Sequence, residues 1–208
     1  MNGSLRFAVA GALVVSTLAL SGCFPLAVTG AAVGTLAAMD RRTIGAQTED
    51  QEIELRARGQ LSQAIQQSSG IAVTSYNRKV LLSGQVAAAQ DKARAEEIVA
   101  ALPNVRSVHN ELQVLGRPSF TTSAADTSIT ARVKTALIEA PDLHANTIKV
   151  VTESGTVYLM GLVSQREATR AAQVASRVSG VQRVVTVFEL ISEEEAKAAE
   201  QSAQRQQR

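Results

Sequence analysis

Hydrophobic positions in this chain follow the same order of spacings twice. At the start of each half, apolar side chains recur every three or four residues, a spacing that places them on one face of an amphipathic helix. The positions are Ile53, Ala57, Leu61 and Ala64 in the first half, and Ile129, Val133, Ala136 and Leu137 in the second. Thr48 with Gln51 suits a capping box for the first helix, and Asp126 suits an N-cap for the second.

Two β-branched runs follow each predicted helix, separated by a two-residue turn at Asn77-Arg78 or at Ser154-Gly155. Alternating apolar runs around such a short polar turn predict a β-hairpin.

A second helix and a last strand then complete each unit. In the second unit, Ser164 and Glu167 form a capping box that begins this helix. Its predicted buried side consists of Ala168, Ala171, Ala172, Ala175 and Val178. The last strand is predicted over residues 105–115 and 181–191.

The two units are copies of one another. Residues 71–86 align with residues 148–163 at a fixed offset of 77 residues. A repeated α-β-β-α-β order predicts an α+β protein built from two tandem sandwiches, each with a three-stranded mixed sheet covered by two helices.

The N-terminus carries the pattern of a processing signal. An apolar run from Phe7 to Leu20 follows Arg6, and the tetrapeptide Leu20-Ser-Gly-Cys23 resembles a lipobox. The resemblance implies a signal peptide that is removed and acyl chains, among them a palmitate-type chain, on Cys23. Phe24 follows, where an Asp would favour inner-membrane retention in enterobacterial lipoproteins. We therefore expect an anchor at the periplasmic face of the outer membrane.

The repeat and the signal together divide the chain. The predicted parts are a signal peptide (1–22), a lipid-anchored apolar tether (23–47), a first domain (48–116), a linker (117–125), a second domain (126–192), and a polar tail that is disordered or a frayed helix (193–208). The tether either lies along the bilayer interface or packs on the folded part.

Composition limits the partners. Removing Arg6 with the signal peptide leaves 20 of the 21 basic side chains against 19 acidic ones. This balance provides no global field for nucleic acid. Cys23 is the only cysteine, so no intramolecular disulfide can form.

The repeated units resemble BON domains. The resemblance rests on the element order, on the tandem copies behind a lipobox, and on two glycine-containing strands, Leu81-Leu-Ser-Gly84-Gln-Val86 and Tyr158-Leu-Met-Gly161-Leu-Val163. It implies an outer-membrane lipoprotein whose second domain binds anionic phospholipid, such as phosphatidylglycerol or cardiolipin, largely through its first helix. It also implies a role in envelope integrity and accumulation at division sites.

An enzyme is not indicated. His109 and His144 stand without metal-ligand or catalytic partners at recognisable spacing, and no nucleophile, phosphate-loop or dinucleotide motif occurs. We therefore predict no catalytic residues, no metal and no cofactor. Gly84 and Gly161 are interpreted as structural glycines, required by a bulge or by close approach of the covering helix.

The first helix of the second domain is the candidate lipid-binding surface. At about 100° per residue, Ile138 points about 180° away from Ile129, and Lys134 shares its outer face. The candidate residues are Thr127, Ser128, Ile129, Arg132, Lys134 and Ile138. Ser128 stands where the family has a tryptophan, so contact would depend more on charge than on insertion. Alternatively, Ile138 is an ordinary exposed side chain or packs on the other domain.

A rival cationic stripe, Arg166, Arg170 and Arg177, lies on the second helix of the same domain with no acid in line. An alternative function uses these outer faces or an exposed strand edge. The protein would then be an adaptor for outer-membrane protein assembly or for cell-wall and division machinery.

Overall fold

A computed structural model describes residues 40–66, 68–115 and 123–205. The signal peptide, Cys23 and most of the predicted tether lie outside the described residues. Among the helices that are described, none combines the length and the apolar character that crossing a membrane requires.

The element order within each copy is the predicted one. The first copy consists of α1 (Ile44–Ala64), β1 (Ile71–Tyr76), β2 (Lys79–Val86), α2 (Ala89–Ala100), β3 (Ser107–Asn110) and β4 (Gln113–Val114). The second consists of α3 (Ser123–Glu139), β5 (Ile148–Glu153), β6 (Thr156–Val163), α4 (Gln165–Ser176) and β7 (Arg183–Leu190), and a further helix α5 (Glu193–Arg205) follows it.

Both sheets are mixed, as predicted. β1 and β2 pair antiparallel, and β2 pairs parallel with β3 and β4. In the second copy, β5 and β6 pair antiparallel and β6 and β7 pair parallel, in the order β5-β6-β7.

The last strand of the first copy is interrupted, whereas a single strand was predicted. Leu112 lies between β3 and β4 with 1% of its surface exposed. The Asn110 side chain accepts the Leu112 N–H at 3.3 Å and donates to the Lys92 carbonyl at 2.8 Å. Such local side-chain bonds compete with a strand ladder, which the second copy continues without a break as β7.

The hairpin turns are held by an aspartate from the preceding helix. Asn77 and Arg78 have φ of 50° and 66°, the left-handed conformation that a two-residue hairpin turn favours. Asp50 accepts their backbone N–H groups at 2.8 and 2.7 Å. Asp126 accepts the N–H groups of the equivalent turn, Ser154 and Gly155, at 2.8 and 2.9 Å.

These contacts correct both predicted N-caps. α3 begins three residues before Asp126, whose carboxylate is directed to the hairpin turn instead of its own helix. α1 begins at Ile44 with Thr43 as its N-cap, and the Thr48 hydroxyl donates to the Ile44 carbonyl inside the helix. The capping box at Ser164 and Glu167 is confirmed.

The two repeated glycines, for which a bulge or close approach of the covering helix was predicted, lie close to backbone instead of to a helix. A Cβ atom at Gly84 would stand 2.0 Å from the Gly70 carbonyl oxygen, and one at Gly161 would stand 2.6 Å from the Thr147 carbonyl oxygen. In both copies the close neighbour is therefore the short turn that precedes the first strand.

The two sheets pack against each other through a core of their own. Each copy has an aliphatic core between its sheet and its helices. A third cluster joins the outer sheet faces and contains Tyr76, Leu81, Tyr158, Met160 and Val187.

Two ion pairs join the copies beside this third core. Arg183 of the second copy pairs with Glu111 of the first at 3.0 Å, and Arg106 of the first pairs with Glu189 of the second at 3.6 Å. Each copy thus contributes one arginine and one glutamate to the contact.

The C-terminal tail is helical where disorder or a frayed helix was predicted. Ser192 and Glu195 form a capping box, with bonds of 2.8 Å (Ser192 N–H to the Glu195 carboxylate) and 3.1 Å (Glu195 N–H to the Ser192 hydroxyl). Ala196 is 3% exposed, and Glu200 bonds to Arg41 at 2.5 Å. Tertiary contacts hold a helix whose sequence has little apolar periodicity.

Candidate functional site

Helix α3 presents one buried and one exposed face. Val133 and Leu137 lie in the core of the second copy with 0% and 1% exposure, and the backbone positions them there because they are one helical turn apart. Lys134 is exposed, and Ile138 is 68% exposed on the outer face. The predicted separation of core and outer faces is therefore present.

A cleft opens beside this outer face. It has a volume of about 210 Å³ and lies between the last turns of α3 and the first residue of β5. Its lining residues are Lys134, Leu137, Ile138, Ala145, Asn146 and Ile148. The cleft is thus lined by a cation and an amide side chain together with aliphatic side chains.

The other candidate residues of α3 divide into two groups. Thr127, Ser128 and Arg132 are exposed on the remainder of the helix but do not line the cleft. Ile129 is 6% exposed and packs in the core of the second copy. The structure therefore contradicts its inclusion among lipid-binding residues, because a buried core side chain offers no surface to a bilayer.

The rival cationic stripe is largely neutralised by acids from other elements. Arg170 pairs with Asp142 at 3.0 Å, and Arg166 pairs with Glu193 at 3.5 Å. Both acids are distant from α4 in sequence, so helical spacing within α4 did not reveal them. Arg177 is exposed at the end of α4. An anionic surface would have to compete with these intramolecular pairs.

A buried ionic cluster lies at the start of the described chain. The Arg41 guanidinium donates to both carboxylate oxygens of Glu167 at 2.8 and 2.9 Å, to the Leu162 carbonyl at 2.8 Å, and to Glu200. The Arg41 and Glu167 side chains are 2% and 3% exposed. Burial alone would raise the pKa of Glu167, but the hydrogen bonds of Arg41 and of the Ser164 N–H lower it to about 2.

His144 completes this cluster, with Nδ1 at 3.3 Å from Glu167 and 3.2 Å from Glu200. One imidazole and two carboxylates are common metal ligands, and these three side chains lie close enough together to share an ion. However, the Arg41 guanidinium already occupies the cation position, since it bonds to both carboxylates. The arrangement is therefore an ion-pair cluster, which sequence spacing missed because its members come from four segments.

Arg42 binds the same segment to the first copy through Tyr76 and Asp50. Its guanidinium lies 4.0 Å above the centre of the Tyr76 ring and bonds to Asp50 at 2.7 Å. The Tyr76 hydroxyl donates to the Thr147 carbonyl at 3.1 Å. Consecutive arginines thus join the last residues of the predicted tether to both domains. Residues 40–47 of the tether pack on the folded part, whereas the apolar residues 24–39, to which the two expectations applied, lie outside the described residues.

Comparison with known proteins gives consistent matches. The BON domain family matches residues 49–116 and 125–192. The outer membrane lipoprotein DolP of Haemophilus influenzae is 34% identical over 181 residues, which cover 86% of this chain and 94% of that protein. The 21 kDa hemolysin of Actinobacillus pleuropneumoniae is 32% identical over 155 residues, which cover 74% of this chain and 80% of that protein.

Among solved structures, the type III secretion protein CdsD of Chlamydia trachomatis matches over 69% of this chain and 95% of that one. The TM-score is 0.29 and the identity is 15%, so this match supports no functional argument.

Proposed function

This chain belongs to the BON domain family, and from that premise we propose that it is a non-enzymatic outer-membrane lipoprotein of the cell envelope whose second domain binds anionic phospholipid. The anchor would be the acylated Cys23, at the periplasmic face. The lipid contact would be the cleft of α3, with phosphatidylglycerol or cardiolipin as the headgroup class.

The observation that supports this proposal is a difference between the copies at the cleft. Ile138 and Lys134 of the second copy correspond to Ser62 and Arg58 of the first. Ser62 bonds to the Gly59 carbonyl and Arg58 pairs with Glu54, so the first copy has a polar side chain where Ile138 stands. Leu55 of the first copy is 71% exposed, but it lies elsewhere on its helix, at the position equivalent to Ala131. At the two positions that line the cleft, the second copy alone combines an apolar side chain with a cation, as an interfacial helix does.

The expected affinity is low. A cation near an anionic bilayer contributes about 1 kcal/mol, and burial of an isoleucine contributes about 2 kcal/mol. With Arg132 and Lys134 both engaged, the sum of about 4 kcal/mol corresponds to a dissociation constant near 1 mM. An acylated Cys23 would hold the domain at the membrane, where even this contact is populated because the effective concentration is high.

The proposal is tested by co-sedimentation of residues 40–208, which retain both copies, α5 and the Arg41 cluster but lack the anchor. The vesicles contain phosphatidylcholine alone or phosphatidylcholine with phosphatidylglycerol or cardiolipin, at low and physiological salt. We expect binding to the anionic vesicles only, weakened by salt. Equal binding to neutral vesicles, or none to anionic ones at low salt, would refute the proposal.

A further inference from the structure

The two copies also differ at the outer edge of the first strand of their sheets. β1 and β5 are both edge strands, each paired on one side only. In an antiparallel pair, alternate residues turn their N–H and C=O groups away from the partner strand. Those residues are Val73 and Ser75 in β1, and Val150 and Thr152 in β5, at the repeat offset of 77 residues.

Side chains seal the edge of β1. The Ser75 N–H donates to the Glu54 carboxylate at 2.9 Å, and Arg58 donates to the Val73 carbonyl at 3.3 Å. Lys149 donates to the Ser75 carbonyl at 3.2 Å. With these donors and acceptors satisfied, the edge of β1 has little capacity to pair with another strand.

The equivalent positions of α3, Thr130 and Lys134, do not make the backbone bonds that seal β1. Thr152 is half-buried where Ser75 is 0% exposed, and Val150 is 6% exposed; we call this edge of β5 open in that sense. Thr130 replaces Glu54, and its hydroxyl bonds to the Thr152 hydroxyl at 2.7 Å instead of to backbone. Lys134 replaces Arg58 and is exposed at the cleft. Across the ranges 40–66, 68–115 and 123–205, no side-chain bond to the backbone of Val150 or Thr152 is present.

We propose that the open edge of β5, together with the cleft at Ile148, binds an extended peptide segment of another protein by β-strand addition. Backbone groups of Val150 and Thr152 supply the pairing, the cleft takes one apolar side chain, and Lys134 pairs with an acidic side chain of the peptide. This function goes beyond lipid binding, although it uses the same cleft.

The exposed cation Lys134 and the cleft beside β5 favour an extended segment with one acidic and one apolar side chain as the occupant. The cleft of about 210 Å³ has room for one or two side chains. It stands at the first residue of β5, so an antiparallel segment places an apolar residue there from its C-terminal half. Added strands depend on main-chain hydrogen bonds for affinity and on pockets for specificity, and β5 offers both in adjacent positions.

The first copy provides the matched variants. Substituting Thr130→Glu with Lys134→Arg in the second copy recreates the sealed edge of β1 while keeping a cation at residue 134. Substituting Glu54→Thr with Arg58→Lys in the first copy changes the same two positions of α1 while Lys149 still seals β1, and serves as the control. Thermal unfolding of both double variants checks that the fold is retained.

The probe is a fluorescent eight-residue peptide of alternating threonine and valine, with leucine and glutamate in its C-terminal half, added to residues 40–208. Anisotropy reports binding, and hydrogen exchange reports protection of the Val150 and Thr152 amides. We expect binding by the unmodified protein. We expect the affinity to fall at least about tenfold in the variant Thr130→Glu with Lys134→Arg. The same loss is expected when the unmodified protein binds a peptide whose alternate backbone N–H groups are methylated. The variant of the first copy should bind the peptide as the unmodified protein does, since Lys149 still donates to the Ser75 carbonyl.

No binding by the unmodified protein, or equal binding by the sealed variant or of the N-methylated peptide, would overturn the proposal. A dimer found by sedimentation without peptide, and absent in the sealed variant, would also overturn it, because β5 would then pair with a second copy of this chain. The same proteins are added to phosphatidylglycerol vesicles. Peptide binding without vesicle binding would refute the lipid function alone, and vesicle binding without peptide binding would refute strand addition alone.

Discussion

Arg41 and Glu167, 126 residues apart in the chain, are joined by two parallel hydrogen bonds of 2.8 and 2.9 Å in a buried site. Bidentate geometry of this kind is the strongest form of an arginine–carboxylate pair. Because Arg41 precedes the first domain and Glu167 belongs to the second, the pair connects the segment leading from the predicted anchor to the domain proposed to bind lipid.

Loss of one partner of this pair should be strongly destabilising. We expect Arg41→Ala to lower the free energy of unfolding by about 3–5 kcal/mol, since Glu167 is left charged and buried. Urea unfolding of residues 40–208 measures the change. The control is Arg56→Ala, which removes an exposed pair with Glu52 and should cost less than about 0.5 kcal/mol. Equal effects of the two substitutions would contradict the structure.

Stability should also depend on acid through Glu167. Its pKa is lowered to about 2 in the folded protein from an ordinary value of 4.5. A depressed carboxyl pKa stabilises the fold fully above the unfolded-state value, and the contribution is lost as the pH falls from about 4.5 towards 2. In Glu167→Gln this component should be absent, so its unfolding free energy should fall less steeply over that interval. Parallel curves for both proteins would exclude the assignment.

Glycine substitutions should have opposite effects at two positions. Gly161→Ala places a Cβ atom 2.6 Å from the Thr147 carbonyl oxygen, so the backbone must shift and the protein should lose at least about 1 kcal/mol. At Gly59, inside α1, an added Cβ meets no atom within 4 Å. Gly59→Ala should therefore stabilise by about 0.5–1 kcal/mol. Denaturant unfolding measures both changes in free energy. Destabilisation by Gly59→Ala would contradict the open space beside Gly59 in α1.

Charge reversal on α3 should weaken vesicle binding without unfolding the protein. Arg132→Glu with Lys134→Glu replaces attraction to phosphatidylglycerol with repulsion, and each reversal should cost at least about 1 kcal/mol of binding. Ile138→Ser should reduce binding with less dependence on salt, because it removes apolar contact. Arg94→Glu, on α2 of the first copy, is the control. Unchanged binding by the α3 variants with unchanged melting temperatures would exclude this helix.

Sequence periodicity predicted the elements well because they are local. Spacing every three or four residues specified the helices, and Asn77-Arg78 and Ser154-Gly155 specified the hairpins, since each pattern reflects the geometry of neighbouring residues. The exposure of Ile138 followed from the same argument. Ile129 was included among the lipid-binding candidates, although the helical geometry that placed Ile138 outside placed Ile129 in the core.

The sequence alone determined two α+β copies, their element order and the outer face of α3, because these depend on backbone conformation and on which side of an element is apolar. Only the tertiary structure decided which charged side chains have partners. Asp142 and Glu193 pair with Arg170 and Arg166, and Glu167 and Glu200 pair with the buried Arg41. Glu54 and Arg58 bond to the backbone edge of β1, whereas Thr130 bonds only to the Thr152 side chain of β5. These partners lie far apart in the chain, and only the packed fold brings them within hydrogen-bonding distance.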